Sequence, residues 1–204
     1  MKDLIVLVAD VQQEKTVQTL LDKRCRSLGI RSVSYDIFRH QTRDPGVYRG
    51  AAALLASFTQ QYSRAMVLLD VAWDGSPDDA MAIEEAIQKD LDARGWRDRS
   101  VVIALDPELE AWVWSDSPHV HQELGLSWTQ IREMGQRSEH WPASESKPTR
   151  PKELLEDILR ATKKRRSSAL FIHLAERVGL GACRDRAFMR MRNALREWFP
   201  PQRS

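Results

Sequence analysis

Three apolar segments of this 204-residue chain end in carboxylates. Residues 4–9 (Leu-Ile-Val-Leu-Val-Ala) run into Asp10, with Glu14 four positions on. Residues 65–69 run into Asp70, and Asp74 again lies four positions further. The third run, residues 100–105, is followed by Asp106, Glu108 and Glu110. Carboxylates gathered at one place disfavour each other's charge unless protons or cations neutralise them. Magnesium and manganese, which prefer oxygen ligands, are natural neutralisers. The chemistry such a set supports is phosphoryl transfer or phosphodiester cleavage, in which a metal activates water and offsets transition-state charge. The metal-ligand candidates are Asp10, Asp70, Asp74 and Glu110, and the catalytic candidates are these four with Glu14. A second reading assigns each acid to a helix N-terminus facing water.

The elements that must position these acids follow from the apolar pattern. Residues 4–9, 33–38, 65–70 and 100–105 read as strands, and the continuous apolar runs among them suit strands buried on both faces. Helical spacing predicts helices over residues 14–28, 47–62 and about 78–93. Residues 39–46, which contain Pro45-Gly46, read as a turn-rich loop. This alternation predicts an α/β fold with a mostly parallel four-stranded sheet. Such sheets bind ligands at the carboxyl ends of their strands, where the three acidic segments fall. Beyond the fourth strand, residues 109–115 look helical and aromatic-rich, and residues 127–134 form a short helix. Further helices are expected over residues 151–164, 168–178 and 185–199. The predicted division is an α/β domain over residues 1–134, a linker or active-site loop over 135–152, and a basic helical extension over 153–204.

A net charge of +2 hides a strong asymmetry. Residues 1–146 carry 16 Lys/Arg against 23 Asp/Glu, whereas residues 147–204 carry 15 against 6, a net of +9. Lys163, Lys164, Arg165 and Arg166, with Arg186 and Arg190 further on, are candidates for contacting a phosphate backbone without base specificity. The other readings are solvated helix faces, or faces docked against the acidic first half or a partner. Cys25 and Cys183 form neither a metal-binding spacing nor a disulfide framework. Gly179-x-Gly181 lacks the third glycine and the preceding strand of a dinucleotide fingerprint, and neither a phosphate-binding loop nor a serine nucleophile elbow occurs. The N-terminal apolar run is too short for a signal peptide, and no segment reaches the roughly 18 apolar residues of a membrane span. A cytoplasmic protein without a membrane partner is expected.

The segments Leu7-Val8-Ala9-Asp10, Leu68-Leu69-Asp70-Val71-Ala72-Trp73-Asp74 and Pro107-Glu108-Leu109-Glu110-Ala111-Trp112 together resemble small Toprim-like proteins of bacterial phage-defence loci. The resemblance covers roughly residues 3–116. It implies a Toprim/Rossmann-like sheet with flanking helices, and magnesium or manganese held for cleavage of, or strand transfer in, DNA or RNA. Asp10 takes the place of the family's first-strand Glu, Asp70 matches the first Asp of its Asp-x-Asp pair, and Glu110 matches the Glu of the aromatic segment. Ala72 stands where the pair has its second Asp, a role left to Asp74. The implied function is that of a component of an anti-phage defence system, a metal-dependent nuclease with nucleic acid and other defence proteins as partners. The alternative is a catalytically degenerate Toprim-like adaptor that binds nucleic acid or a partner defence protein.

Overall fold

A computed structural model describes residues 1–115, 117–181 and 183–201. The first half runs β1 (Lys2–Val8), α1 (Val11–Lys23), α2 (Cys25–Leu28), β2 (Tyr35–Arg39), α3 (Arg43–Leu55), β3 (Tyr62–Asp70), α4 (Ala80–Leu91) and β4 (Ser100–Leu105). The strands pair in parallel in the order β2-β1-β3-β4. One 3-10 turn over Leu109–Trp112 follows. The second half is helical: α5 (Pro118–Leu124), α6 (Trp128–Arg137), α7 (Pro151–Ala161), α8 (Ser168–Arg177) and α9 (Arg186–Trp198). Four parallel strands, flanking helices and a C-terminal helical extension make a Rossmann-like α/β fold, as the apolar alternation predicts.

Two cores sit on opposite faces of the sheet because successive strand side chains point opposite ways. Leu4, Val6, Val8, Met66, Leu68, Val101, Ile103 and Leu105 face one side. Ile5, Leu7, Ala65, Val67, Leu69, Val102 and Ala104 face the other, against α3 and α4. The first face carries α1 and the C-terminal helices. α7 presents Leu154, Leu155, Ile158 and Leu159 as one buried stripe, and α9 presents Phe188, Met191 and Leu195. α8 lies on α1, and α9 lies on β4. The extension therefore shares the main core with the sheet.

Local departures from the expected elements have local causes. α3 starts at Arg43, inside the expected loop, since proline in a first helical turn gives up an N–H that has no helical partner there. The helical reading of residues 109–115 shrinks to the 3-10 turn over Leu109–Trp112. α5, not expected at all, opens on Pro118 and closes at Gly125, whose φ of 80° is readily reached without a Cβ.

β4 ends the sheet, so alternate backbone groups of it face away from β3. Glu84 of α4 accepts the Ala104 amide at 3.0 Å, and Arg190 of α9 donates to the Val102 carbonyl at 2.8 Å. Arg186 closes the cluster with bonds of 3.1 and 2.5 Å to the two Glu84 oxygens. Side chains thus occupy hydrogen-bonding groups that would otherwise template another strand.

A candidate metal centre

The strand order reverses direction between β1 and β3, the place where open parallel sheets bind ligands at the carboxyl ends of their strands. Asp70, the last residue of β3, lies at that end of the sheet. Its Oδ1 accepts from Gln13 Nε2 at 2.9 Å and from the Leu109 amide at 3.0 Å. Gln13, wholly buried on α1, is itself fixed by the Ala9 amide donating to its Oε1 at 2.9 Å. The Asp70 amide donates to Asp44 Oδ1 at 2.8 Å. The first turns of α1 and α3 therefore both reach the end of β3.

The acidic segment after β4 docks beside them through its backbone. The Pro107 carbonyl accepts from the amides of Val71 and Ala72 at 3.0 and 2.9 Å. Glu108 then adopts an extended conformation, with φ −165° and ψ 170°. The 3-10 turn over Leu109–Trp112 starts at the next residue, and this change from extended to helical backbone brings Glu108 and Glu110 to Asp70 together. Asp70, Glu108 and Glu110 each offer one oxygen, and these oxygens lie within 4.8 Å of one another. Metal–oxygen distances of about 2.0–2.6 Å allow three such atoms to share one cation. Two tryptophans clamp the segment: Trp112 Nε1 donates to Asp185 Oδ1 at 2.9 Å, and Trp114 Nε1 to the Pro151 carbonyl at 3.0 Å.

The electrostatics are those of crowded acids. Burial, then the charges of Asp44, Glu110, Asp10 and Glu108, push Asp70 well above the ordinary carboxylate range. Burial and Glu110 push Glu108 up to about 7 against the opposing pull of Lys152. Glu110, 2% exposed, is also raised by burial, although Arg166 works the other way. Two cations face the cluster. Lys152 donates its backbone amide to Glu108 Oε1 at 3.0 Å and holds its ammonium 3.6 Å from Oε2. Arg166 pairs with Glu110, and its other nitrogen lies 3.5 Å from Glu156. Burial lowers Lys152, but Glu108, Glu110 and Asp70 together leave it above the ordinary lysine value. Five carboxylates thus act on one another with Lys152 and Arg166 as counter-charges. The donors are all hard oxygens, so the set is capable of holding a divalent cation of the magnesium, manganese or calcium kind.

The candidates named from sequence fall in several places. Asp70 and Glu110 are in the triad. Asp10 caps α1 by accepting the Gln13 amide at 2.8 Å and contributes its charge from close by. Asp74 lies on an exposed turn, outside the triad. Glu14 points to Lys15 and Arg39, at 3.0 and 2.7 Å. Glu108, Asp44, Gln13 and Lys152 belong to the site and were not selected from sequence. Among the basic candidates, Arg186 and Arg190 bind Glu84, Arg166 binds Glu110, and Lys164 donates to the Glu123 carbonyl. Lys163 and Arg165 are exposed between α7 and α8.

Fold and site together define a Rossmann-like α/β protein with a carboxylate triad at the carboxyl edge of its sheet. No protein-family model, curated protein or solved structure matches the chain. Among the described residues, no helix is long and apolar enough to cross a membrane.

Proposed function

We propose that the protein holds magnesium or manganese at Asp70, Glu108 and Glu110 and hydrolyses phosphodiester bonds of DNA or RNA, as a Toprim-like component of an anti-phage defence system. One observation carries the reading: three carboxylate oxygens within 4.8 Å at the strand-order switch point. A bound divalent cation would supply an activated water and offset charge on the phosphate. The chain's own residues have three tasks. Gln13 and the Leu109 amide hold the Asp70 carboxylate in one orientation. Lys152 and Arg166, the counter-cations of Glu108 and Glu110, are of the kind suited to receiving a phosphate. Burial of Glu108 and Glu110 keeps bulk water from competing.

The test is incubation of purified protein with single- and double-stranded DNA and RNA, with magnesium or manganese, beside Asp70→Asn and Glu110→Gln. Metal-dependent cleavage lost in both variants supports the reading, and equal background cleavage in all three proteins ends it. A second reading, a catalytically degenerate adaptor, is favoured by the Arg166–Glu110 pair, which already supplies Glu110 with a cation. It predicts that manganese leaves the melting temperature unchanged.

A further inference from the structure

A cavity of about 60 Å³ lies behind the acidic segment, between α1, the turn after β4, α8 and α9. Its wall is predominantly apolar, with Leu20, Trp112, Phe171 and Phe188 among the lining residues. Two hydroxyls interrupt that wall, those of Thr16 and Ser115, and neither has a hydrogen-bond partner among the described residues. Thr16 is 7% exposed. A helical threonine ordinarily satisfies itself on the carbonyl four residues back. Thr19, one turn on, does this with Lys15 at 2.7 Å, but Thr16 does not.

Buried polar side-chain atoms are nearly always paired, so two orphaned hydroxyls in one cavity call for an explanation. The volume corresponds to about four to six waters at roughly 10–15 Å³ each. A buried water ordinarily makes about three hydrogen bonds, and this largely apolar wall offers few partners. A molecule with an apolar body and one polar oxygen satisfies both parts of the wall at once.

We propose that this cavity is a binding site for a small, uncharged, largely apolar molecule bearing one hydroxyl or carbonyl oxygen, which bonds to Thr16, Ser115 or both. The site is separate from the carboxylate triad: Leu109 and Trp112 line it from the same turn that carries Glu110. The proposal stands whether or not the triad holds a metal.

Ethanol is a suitable probe, because a cavity that takes benzene measures about 150 Å³ and this one is well under half of that, with xenon as the apolar counterpart. Titration of the full chain is followed by the NMR resonances of the Trp112 indole N–H and the Leu20 and Leu174 methyls, all at the cavity. Ethanol is expected to bind at about 10 mM, within the ceiling of about 1.5 kcal/mol per non-hydrogen atom. Thr16→Val or Ser115→Ala should weaken ethanol about five- to tenfold and leave xenon binding in place. Ala175→Leu, which fills the cavity, should abolish both while the protein still melts cooperatively. The proposal is overturned if ethanol shifts none of these resonances at about 200 mM. Ethanol affinity unchanged in both hydroxyl variants overturns it equally.

Discussion

Glu108 allows a quantitative test of the crowded acids. Its ordinary value is 4.5, and burial followed by Glu110 takes it to about 7 in the fold, with Lys152 opposing and Glu153 adding. Between those two values the folded chain binds more protons than the unfolded chain. Folding stability therefore falls as pH rises from 4.5 to about 7, and this contribution is constant above. An interval of about 2.5 units, at about 1.36 kcal/mol each, amounts to about 3 kcal/mol. For a chain of this size that is a melting-temperature loss of about 6–12 °C. Asp70 and Glu110 are raised as well and act with the same sign. The assay is thermal unfolding in a chelator between about pH 5 and pH 8, for the native sequence and for Glu108→Gln. Glutamine keeps an oxygen for the Lys152 amide but cannot titrate. The variant should lose less stability across the range by about the Glu108 contribution. A divalent cation prefers the ionised acids, so adding manganese should recover stability at about pH 8 and do little at about pH 5. Identical pH slopes in the two proteins, or equal stabilisation by manganese at both ends, would refute the reasoning.

The other charged contacts give sharper single-site outcomes. Arg166→Gln leaves a buried Glu110 without its pairing guanidinium and should cost about 3 kcal/mol at neutral pH in chelator; calorimetry should show manganese binding retained or tightened. Glu84→Gln keeps an acceptor for Ala104 but loses the charged bonds to Arg186 and Arg190. A loss of about 1–3 kcal/mol in denaturant unfolding is expected, with metal affinity unchanged. Asp74→Asn, on an exposed turn, should bind manganese as the native chain does, whereas Asp70→Asn should weaken it at least about tenfold. Titration calorimetry separates the two.

The sheet was legible because its signal is local. Four strand segments, three ending in acids, need no knowledge of distant contacts, and burial on both faces writes itself as near-continuous apolar runs such as residues 4–9 and 65–69. The site was only half legible. Asp70 and Glu110 stand at a strand end and in the aromatic segment, but Asp44 sits beside a Pro-Gly pair that reads as a loop. Gln13 carries no charge to draw notice, and its role appears only once α1 has packed against the end of β3. Glu108 lies next to the aromatic segment but joins the triad only because the backbone changes from extended at Glu108 to a 3-10 turn at Leu109, a local change that apolar periodicity does not report. Lys152 and Arg166 join the site through the packing of α7 and the turn after it, some forty to sixty residues away in sequence.

The basic extension divides by the same logic, and the division bears on nucleic acid. Arg186 and Arg190 spend their charge on Glu84, where they close the edge of β4, far along the chain from the triad. Lys163 and Arg165 are exposed and, among the described residues, enter no ion pair. They lie within three residues of Arg166, whose guanidinium touches Glu110, so they stand within about 10 Å of chain from it. If the triad acts on phosphodiesters, these two side chains are the rim over which the backbone passes. Each phosphate contact contributes about −0.9 to the slope of log affinity against log salt for duplex DNA. The double variant Lys163→Ala/Arg165→Ala should therefore flatten that slope by about 1.8, measured by fluorescence anisotropy on a labelled duplex. Arg186→Ala should leave the slope unchanged while lowering stability. A slope insensitive to Lys163 and Arg165 but reduced by Arg186→Ala would move the nucleic acid from the triad to the β4 edge.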